Sequence, residues 1–263
     1  MIGLFLGENQ LPLEILKSLK KKKLKYFIID LSKNNKFKKD KNSYFISIGK
    51  FGKILDLIKS KNCKKIIFAG NIIKPRLSKL KLDFKGMYYM PRIIKASKLG
   101  DAAILKELIK ILSENKIKVI KLNTYNPELT LKKGCFTKIR PNLSDLRIIK
   151  KGTQILSGSK SLNHVQALVI NNEKILSFEK RKGTKHMLRS IKKKKSIKNY
   201  LLKIPKSKQD LRVDLPTIGF DTLKDCKRAN IKGIVMKANQ NIFLDRSKSL
   251  TYANKYKMFV IAQ

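Results

Sequence analysis

Short apolar runs and helical spacings alternate along the first half of the chain. Ile2 to Leu6, Tyr26 to Leu31, Tyr44 to Ile48, Lys65 to Ala69 and Lys118 to Leu122 are compact apolar or β-branched runs. That is the pattern of parallel strands buried on both faces. Leu11, Ile15, Leu16 and Leu19 follow the first run; Phe51, Ile54, Leu55 and Ile58 precede the fourth; Ile104, Leu105, Leu108 and Leu112 precede the fifth. Each set recurs at spacings of three and four, so each falls on one helical stripe. Strand and helix in alternation predict a doubly wound parallel sheet, whose ligands lie beyond the carboxyl ends of its strands. Gly7, Glu8, Asn9 and Gln10 stand after the first run, and Gly70, Asn71 and Ile72 after the fourth.

Between Pro127 and Pro141, with Gly134 inside, the alternation breaks. A domain boundary is expected there. It gives a Rossmann-like α/β domain over 1–132 and a second α/β domain over 133–263, with an active site in the cleft between them. The second half opens with a helical stretch from Leu143 to Ile155. Ala167 to Ile170 and Ile175 to Phe178, separated by Asn171, Asn172, Glu173 and Lys174, form a hairpin. Gly183 and Thr184 start a helix, with Thr184 as N-cap and Met187, Leu188 and Ile191 as its buried side. Tyr200 to Ile204, Gly233 to Val235 and Met258 to Ile261 are the later strands.

Charge changes this picture less than its size suggests. The 263 residues hold 62 Lys plus Arg against 18 Asp plus Glu, a net charge of +44, which would draw any polyanion at low salt. Yet the lysine-rich stretches at 17–25, 36–41 and 189–198 lie in different segments, Arg is scarce beside Lys, and Trp is absent. Solvated lysine faces account for most of this, and no specific nucleic acid is expected. A hydrophobic content of 42% with only 13 Gly and 7 Pro fits a folded chain rather than a disordered one. Cys63, Cys135 and Cys226 are far apart and in no metal-ligand spacing, which points to a reduced, cytoplasmic compartment. The amino terminus lacks a basic leader and reads as a first strand, and no run approaches the roughly 18 apolar residues of a membrane span.

Residues 209–225 break the charge pattern. Asp210, Asp214, Asp221 and Asp225 fall there, where an even spread would put about one acid. Other chemistries fall away on ligand count. GENQ after the first strand lacks the later glycines of a dinucleotide fingerprint, and no Walker-type GK[ST] follows a strand. His164 and His186 are too few for a His-rich dinuclear or zinc hydrolase core. Ser157, Gly158 and Ser159, without a nearby His partner, read as a loop. What remains is oxygen chemistry: carboxylate beside Lys and Arg suits Mg²⁺, which takes one or two carboxylates plus substrate phosphate and water. A plainer alternative stays open, in which Asp214 caps a turn and pairs with Arg212 while Asp210, Asp221 and Asp225 cap and solvate.

KIPKSKQDLRVDLPTIG at 203–219 resembles the signature of the LpxI-type UDP-2,3-diacylglucosamine pyrophosphatases. IIFAGNIIKPRL at 66–77 is similar to that family's AGN-x-x-(K/R)-P segment, IGKFGKIL at 48–55 to its G-x-(F/L)-G-K-(I/L), and NQLPLEIL at 9–16 to its x-x-LP. LGDAAILK at 99–106, QALVINNEKIL at 166–176 and EKRKGTKHML at 179–188 follow in order, so the resemblance spans nearly the whole chain. It departs at Ala102 and Lys185, where the family usually has Asp.

The resemblance implies an enzyme of lipid A synthesis; with the lysine-rich surface and a lipid substrate, a cytoplasmic place peripheral to the inner membrane, on its anionic surface, is expected, and a homodimer is one open assembly. The enzyme would cut a nucleotide-linked lipid to UMP and 2,3-diacylglucosamine 1-phosphate with Mg²⁺ as cofactor, by attack of water on the β-phosphorus. Asp214 would be the catalytic residue and metal ligand. Gln10, Leu11, Gly70, Asn71, Gln166, Thr184, Lys206, Arg212 and Thr217 would bind substrate, with Lys206 and Arg212 on phosphate oxygens. Two other functions stay open: a basic nucleotide- or nucleic-acid-binding protein without catalysis, and a hydrolase of another UDP-sugar.

Overall fold

The computed structural model describes residues 1–72, 76–158, 162, 164–172, 174–191, 198–207 and 209–263. Ile73, Lys74 and Pro75 of the AGN segment, Ser159, Glu173 of the hairpin, residues 192–197 of a lysine run and Lys208 lie outside the described residues. The chain forms two compact units, Met1–Asn126 and Pro127–Gln263. Among the described residues no helix is long and apolar enough to cross a membrane.

In the first unit the elements run β1 (Ile2–Leu6), α1 (Leu11–Lys21), β2 (Tyr26–Asp30), β3 (Ser43–Phe45), α2 (Phe51–Ser60), β4 (Lys65–Ala69), α3 (Phe84–Ser97), α4 (Asp101–Glu114) and β5 (Lys118–Val119). The strands form one parallel sheet in the order β3-β2-β1-β4-β5. β1 and β2 are buried throughout, as their uninterrupted apolar sequences require. β2 stops one residue before Leu31 for a physical reason. The buried Asp30 carboxylate accepts the backbone N–H of Ser32 at 2.8 Å and of Phe37 at 3.0 Å, and so turns the chain. β3 and β5 are shorter than their apolar runs; Leu122–Thr124 coils into a 3₁₀ turn instead. Asp83 caps α3 and joins it to α2: Oδ1 accepts Gly86 N at 2.7 Å and Gly52 N at 3.1 Å, while Oδ2 accepts Lys53 N at 3.1 Å. One carboxylate thus serves the amino ends of both helices. The glycines of IGKFGKIL and Gly86 allow this approach, since a Cβ on Gly52 would meet Asp83 and one on Gly86 would lie 2.2 Å from Gly49 O.

The second unit contains β6 (Gly134–Cys135), α5 (Leu143–Gly158), β7 (Ala167–Asn171), β8 (Lys174–Phe178), α6 (Gly183–Arg189), β9 (Asn199–Lys203), β10 (Thr217–Ile218), α7 (Phe220–Arg228), β11 (Ile231–Met236), β12 (Ile242–Phe243), α8 (Arg246–Lys255) and β13 (Phe259–Ala262). A six-stranded mixed sheet has the order β6-β13-β11-β9-β7-β8, and β10 pairs with β12. The period of two along each strand sorts its side chains onto two cores. Leu168, Ile170, Tyr200, Leu202, Val235 and Phe259 meet Ile149 and Leu156 of α5. Val169, Leu201, Ile234, Met236 and Val260 meet Met187 and Leu188 of α6, Leu223 and Cys226 of α7 and Ala253 of α8. The expected hairpin is β7–β8. Thr184 is not the N-cap of its helix: Lys182 holds that position, and the Thr184 hydroxyl faces inward.

Candidate active site

The first unit offers one loop cluster. The order β3-β2-β1-β4-β5 makes the boundary of β1 and β4 the switch point of the sheet, where chains leave the carboxyl ends in opposite directions. Glu8 N donates to Asn71 O at 2.7 Å and Asn71 N to Glu8 O at 3.2 Å, lacing the two loops together. Gly70 has φ +83°, and a Cβ there would lie 2.3 Å from Glu8 O; only glycine fits. Gln10 immediately precedes α1, whose first N–H, that of Leu11, donates to Asn9 Oδ1 at 3.0 Å. Gln10, Leu11, Gly70 and Asn71 are therefore neighbours, with Gln10 and Asn71 exposed and Leu11 buried.

In the second unit, strand parity makes a polar exception. Lys203 ends β9 on the same face as Leu201, so its side chain runs under α6 rather than into water and is only 8% exposed. Its ammonium donates to Thr184 Oγ1 at 2.5 Å, and Thr184 donates to Glu179 Oε1 at 2.8 Å. Lys203 Nζ itself lies 3.8 Å from that carboxylate oxygen. Burial lowers the Lys203 pKa, against the opposing pull of Glu179 and Asp214. Glu179 Oε2 is buried without a hydrogen-bond partner in the described structure. Asn241 Nδ2 donates to Lys203 O at 2.8 Å and fixes the strand end.

Beside this group opens a cavity of about 860 Å³, of the size that holds a nucleotide or sugar phosphate. Leu162, Val165 and Phe178 supply apolar wall; Gln166 and Glu179 face it with His164, Lys180, Arg181 and Lys206. Gln166 Nε2 donates to Gln209 Oε1 at 3.1 Å, and Lys206 N donates to the same oxygen at 2.8 Å. The other end of the Gln209 amide is turned toward Asp214. Gln209 Nε2 makes no hydrogen bond of ordinary length, but its proximity favours the carboxylate. Asp214 does not itself line the cavity; it is joined to it through Lys206 and Gln209. Its side chain is open to solvent on one side and crowded on the others. Desolvation raises its pKa above the ordinary 3.8, with Lys206, Gln209 and Lys203 working against the rise.

The remaining acids have other partners. Arg212 forks onto Asp210, with Nε 2.9 Å from Oδ1 and Nη2 2.6 Å from Oδ2, so Asp210, not Asp214, pairs with this arginine. Asp210 O also accepts Asp214 N at 3.0 Å, closing the turn that presents Asp214. Asp221 is 89% exposed beside Lys224 at 2.7 Å. Asp225 does not solvate the surface as the sequence suggested: it is buried, 3.3 Å from Arg189 of α6 and 3.5 Å from Arg228, and ties α7 to α6. Thr217 opens β10 and its hydroxyl donates to Leu215 O at 3.2 Å, apart from the cavity lining. Ala102 and Lys185, the departures from the family pattern, are both exposed near helix starts. Among the described residues no group of three or more His, Cys, Asp and Glu could hold a metal. A carboxylate beside a cavity faced by lysine and arginine is chemically compatible with Mg²⁺, which takes one or two carboxylates and fills its other positions with phosphate and water oxygens.

Sequence reasoning did not single out Glu179, Lys203 or Gln209. A signal existed for Lys203, a lysine in line with Tyr200, Leu201 and Leu202 of a buried strand. None existed for Gln209.

Together, the doubly wound parallel sheet of the first unit and the mixed sheet of the second, with a basic cavity near Asp214, define a two-domain α/β protein. Residues 1–129 match the model of the LpxI N-terminal domain and residues 132–261 that of the LpxI C-terminal domain. A relative from Caulobacter vibrioides, UDP-2,3-diacylglucosamine pyrophosphatase LpxI, is 30% identical over 224 residues, covering 82% of this chain and 80% of the relative. The chain belongs to the LpxI family.

Proposed function

We propose that this protein hydrolyses the pyrophosphate of UDP-2,3-diacylglucosamine to UMP and 2,3-diacylglucosamine 1-phosphate, in lipid A synthesis, at the cytoplasmic face of the inner membrane. Kinship with a relative of that activity supports the substrate. The observation that carries the chemistry is Asp214, free of its neighbouring arginine and set beside a cavity faced by Lys180, Arg181 and Lys206. Those cations would neutralise the pyrophosphate, and a carboxylate of raised pKa is a better base for the attacking water. Mg²⁺ bound with the pyrophosphate would withdraw charge from its oxygens. Gln166 and Gln209 hold the Asp214 turn against the cavity wall, while the Glu179–Thr184–Lys203 group fixes α6 to the end of β9. Gln10, Leu11, Gly70 and Asn71 would take the uridine nucleotide, in the place where open α/β sheets bind such ligands. Arg212 contributes by holding Asp210 and the turn rather than by reaching phosphate.

Incubation with UDP-2,3-diacylglucosamine, and separately with UDP-N-acetylglucosamine, each with Mg²⁺ or with a chelator, tests this reading by mass analysis of products. UMP and the lipid phosphate should form only from the acylated substrate and only with Mg²⁺. Equal hydrolysis of the unacylated sugar nucleotide would assign a different UDP-sugar, and turnover unchanged by chelator would remove the metal.

A further inference from the structure

Helix α3 is apolar on both faces. Its inner face, Gly86, Tyr89, Met90 and Ile93, packs against Phe51 of α2 and Leu108 of α4 around a small apolar cavity. Its outer face, where a chain of charge +44 would be expected to show lysine, begins with Phe84, Met87, Tyr88 and Pro91. Phe84 is 83% exposed, Met87 54% and Tyr88 71%. Ile94, 43% exposed, continues the stripe, and Leu99, 80% exposed, stands just past the helix end. Lys85 and Arg92 leave the helix sideways to pair with Asp56, Glu107 and Glu114, so an exposed apolar stripe remains opposite the packed one. Exposed lysines flank the stripe, Lys81 before it, Lys95 on its last turn and Lys98 at its C-cap.

We propose that this face of α3 docks on an anionic phospholipid bilayer, with Phe84, Met87 and Tyr88 entering the acyl boundary and Lys81, Lys95 and Lys98 meeting lipid phosphates. The inference deepens the reading above and rests on it for its purpose, since a lipid-linked substrate lies in a membrane. Charge decides between occupants. A second copy would set these lysines against the lysines of another chain of charge +44, whereas anionic lipid is complementary to them. The substrate's acyl chains are poorly served by the cavity behind the helix. At about 90 Å³ it has about a tenth of the volume of the cavity faced by Lys206.

Sedimentation with vesicles tests this without substrate, so its outcome is independent of whether the proposed hydrolysis is right. The wild type should bind phosphatidylcholine vesicles containing phosphatidylglycerol, bind pure phosphatidylcholine far less, and release as salt rises. Phe84→Gln with Tyr88→Gln should lower partitioning at least about tenfold. Lys81→Gln, Lys95→Gln and Lys98→Gln together should lower it on the order of 100-fold at low salt. Detergent-dispersed substrate should be turned over by the Phe84/Tyr88 variant within about threefold of the wild type. Wild-type-like vesicle binding by that variant, or equal binding to neutral and anionic vesicles, would overturn the proposal. So would a loss of self-association in place of vesicle binding, which would mark a contact between copies, or a raised KM with vesicle binding intact, which would give the stripe to the acyl chains.

Discussion

Lys203→Met removes a charge and a donor while leaving a side chain of similar length, and so isolates what the buried ammonium does. In the variant the Glu179 carboxylate, 13% exposed, keeps Thr184 as donor to Oε1 and has no partner for Oε2. Stranding one member of a fully buried pair costs about 3–5 kcal/mol. Glu179 also faces the cavity, where water can relieve it, so about 2–3 kcal/mol is expected here. Adding Glu179→Gln discharges the stranded group and should return about half of the loss. Urea unfolding followed by circular dichroism measures both, as shifts of the transition in which the second unit, Pro127–Gln263, unfolds. The pH dependence gives a second readout. Burial lowers the folded-state pKa of Lys203 below its ordinary 10.5, so the unfolded chain holds that proton more tightly. The wild type should therefore gain stability as pH rises from the lowered value toward 10.5, and Lys203→Met should lack that rise. A single variant within about 0.5 kcal/mol of the wild type, or a double variant no more stable than the single one, would refute the reasoning.

Asp214→Asn keeps shape and the Gln209 contact but loses the base, so turnover should fall on the order of 100-fold or more with unfolding unchanged; activity within tenfold of the wild type would remove Asp214 from the chemistry. Arg212→Ala and Asp210→Ala should each reduce activity by a similar, smaller factor, and the double variant little further, because the two side chains hold one turn through one fork. Asp83→Ala should cost about 1–3 kcal/mol, as the amino ends of α2 and α3 lose their shared acceptor. Desolvation pulls the Asp83 pKa upward, but the N–H donors of Gly86, Gly52 and Lys53 outweigh it and hold it below 3.8. That contribution is present above pH 3.8 and is lost as pH falls through the folded value, which acid titration of wild type and variant would compare.

Much of the frame was legible because the hydrophobic pattern carries it. β1 and β4 fall where their apolar runs lie, and α1 and α2 on their stripes. Helix α3 was not visible: with apolar residues on both faces it shows no single stripe. Helix α8 was hidden for the opposite reason, since it buries only Ser249 and Ala253. Around the site, the motifs pointed to Asp214, Gln166 and Lys206, which the fold brings together. Which carboxylate Arg212 would choose depended on the geometry of a turn, and Asp210 won because its backbone carbonyl and side chain close that turn together. Lys203 and Glu179 are far enough apart in sequence that only the pairing of β9 with β7 and the placing of α6 make them neighbours.

Hydrolysis of UDP-2,3-diacylglucosamine in ¹⁸O-labelled water tests the central claim most directly. If Asp214 directs water at the sugar-side phosphorus while the nucleotide leaves, the label appears on the 1-phosphate of the diacylglucosamine and UMP carries none. Label on UMP would place the attack at the nucleotide-side phosphorus and contradict the roles assigned to Asp214 and to the Gly70–Asn71 loop.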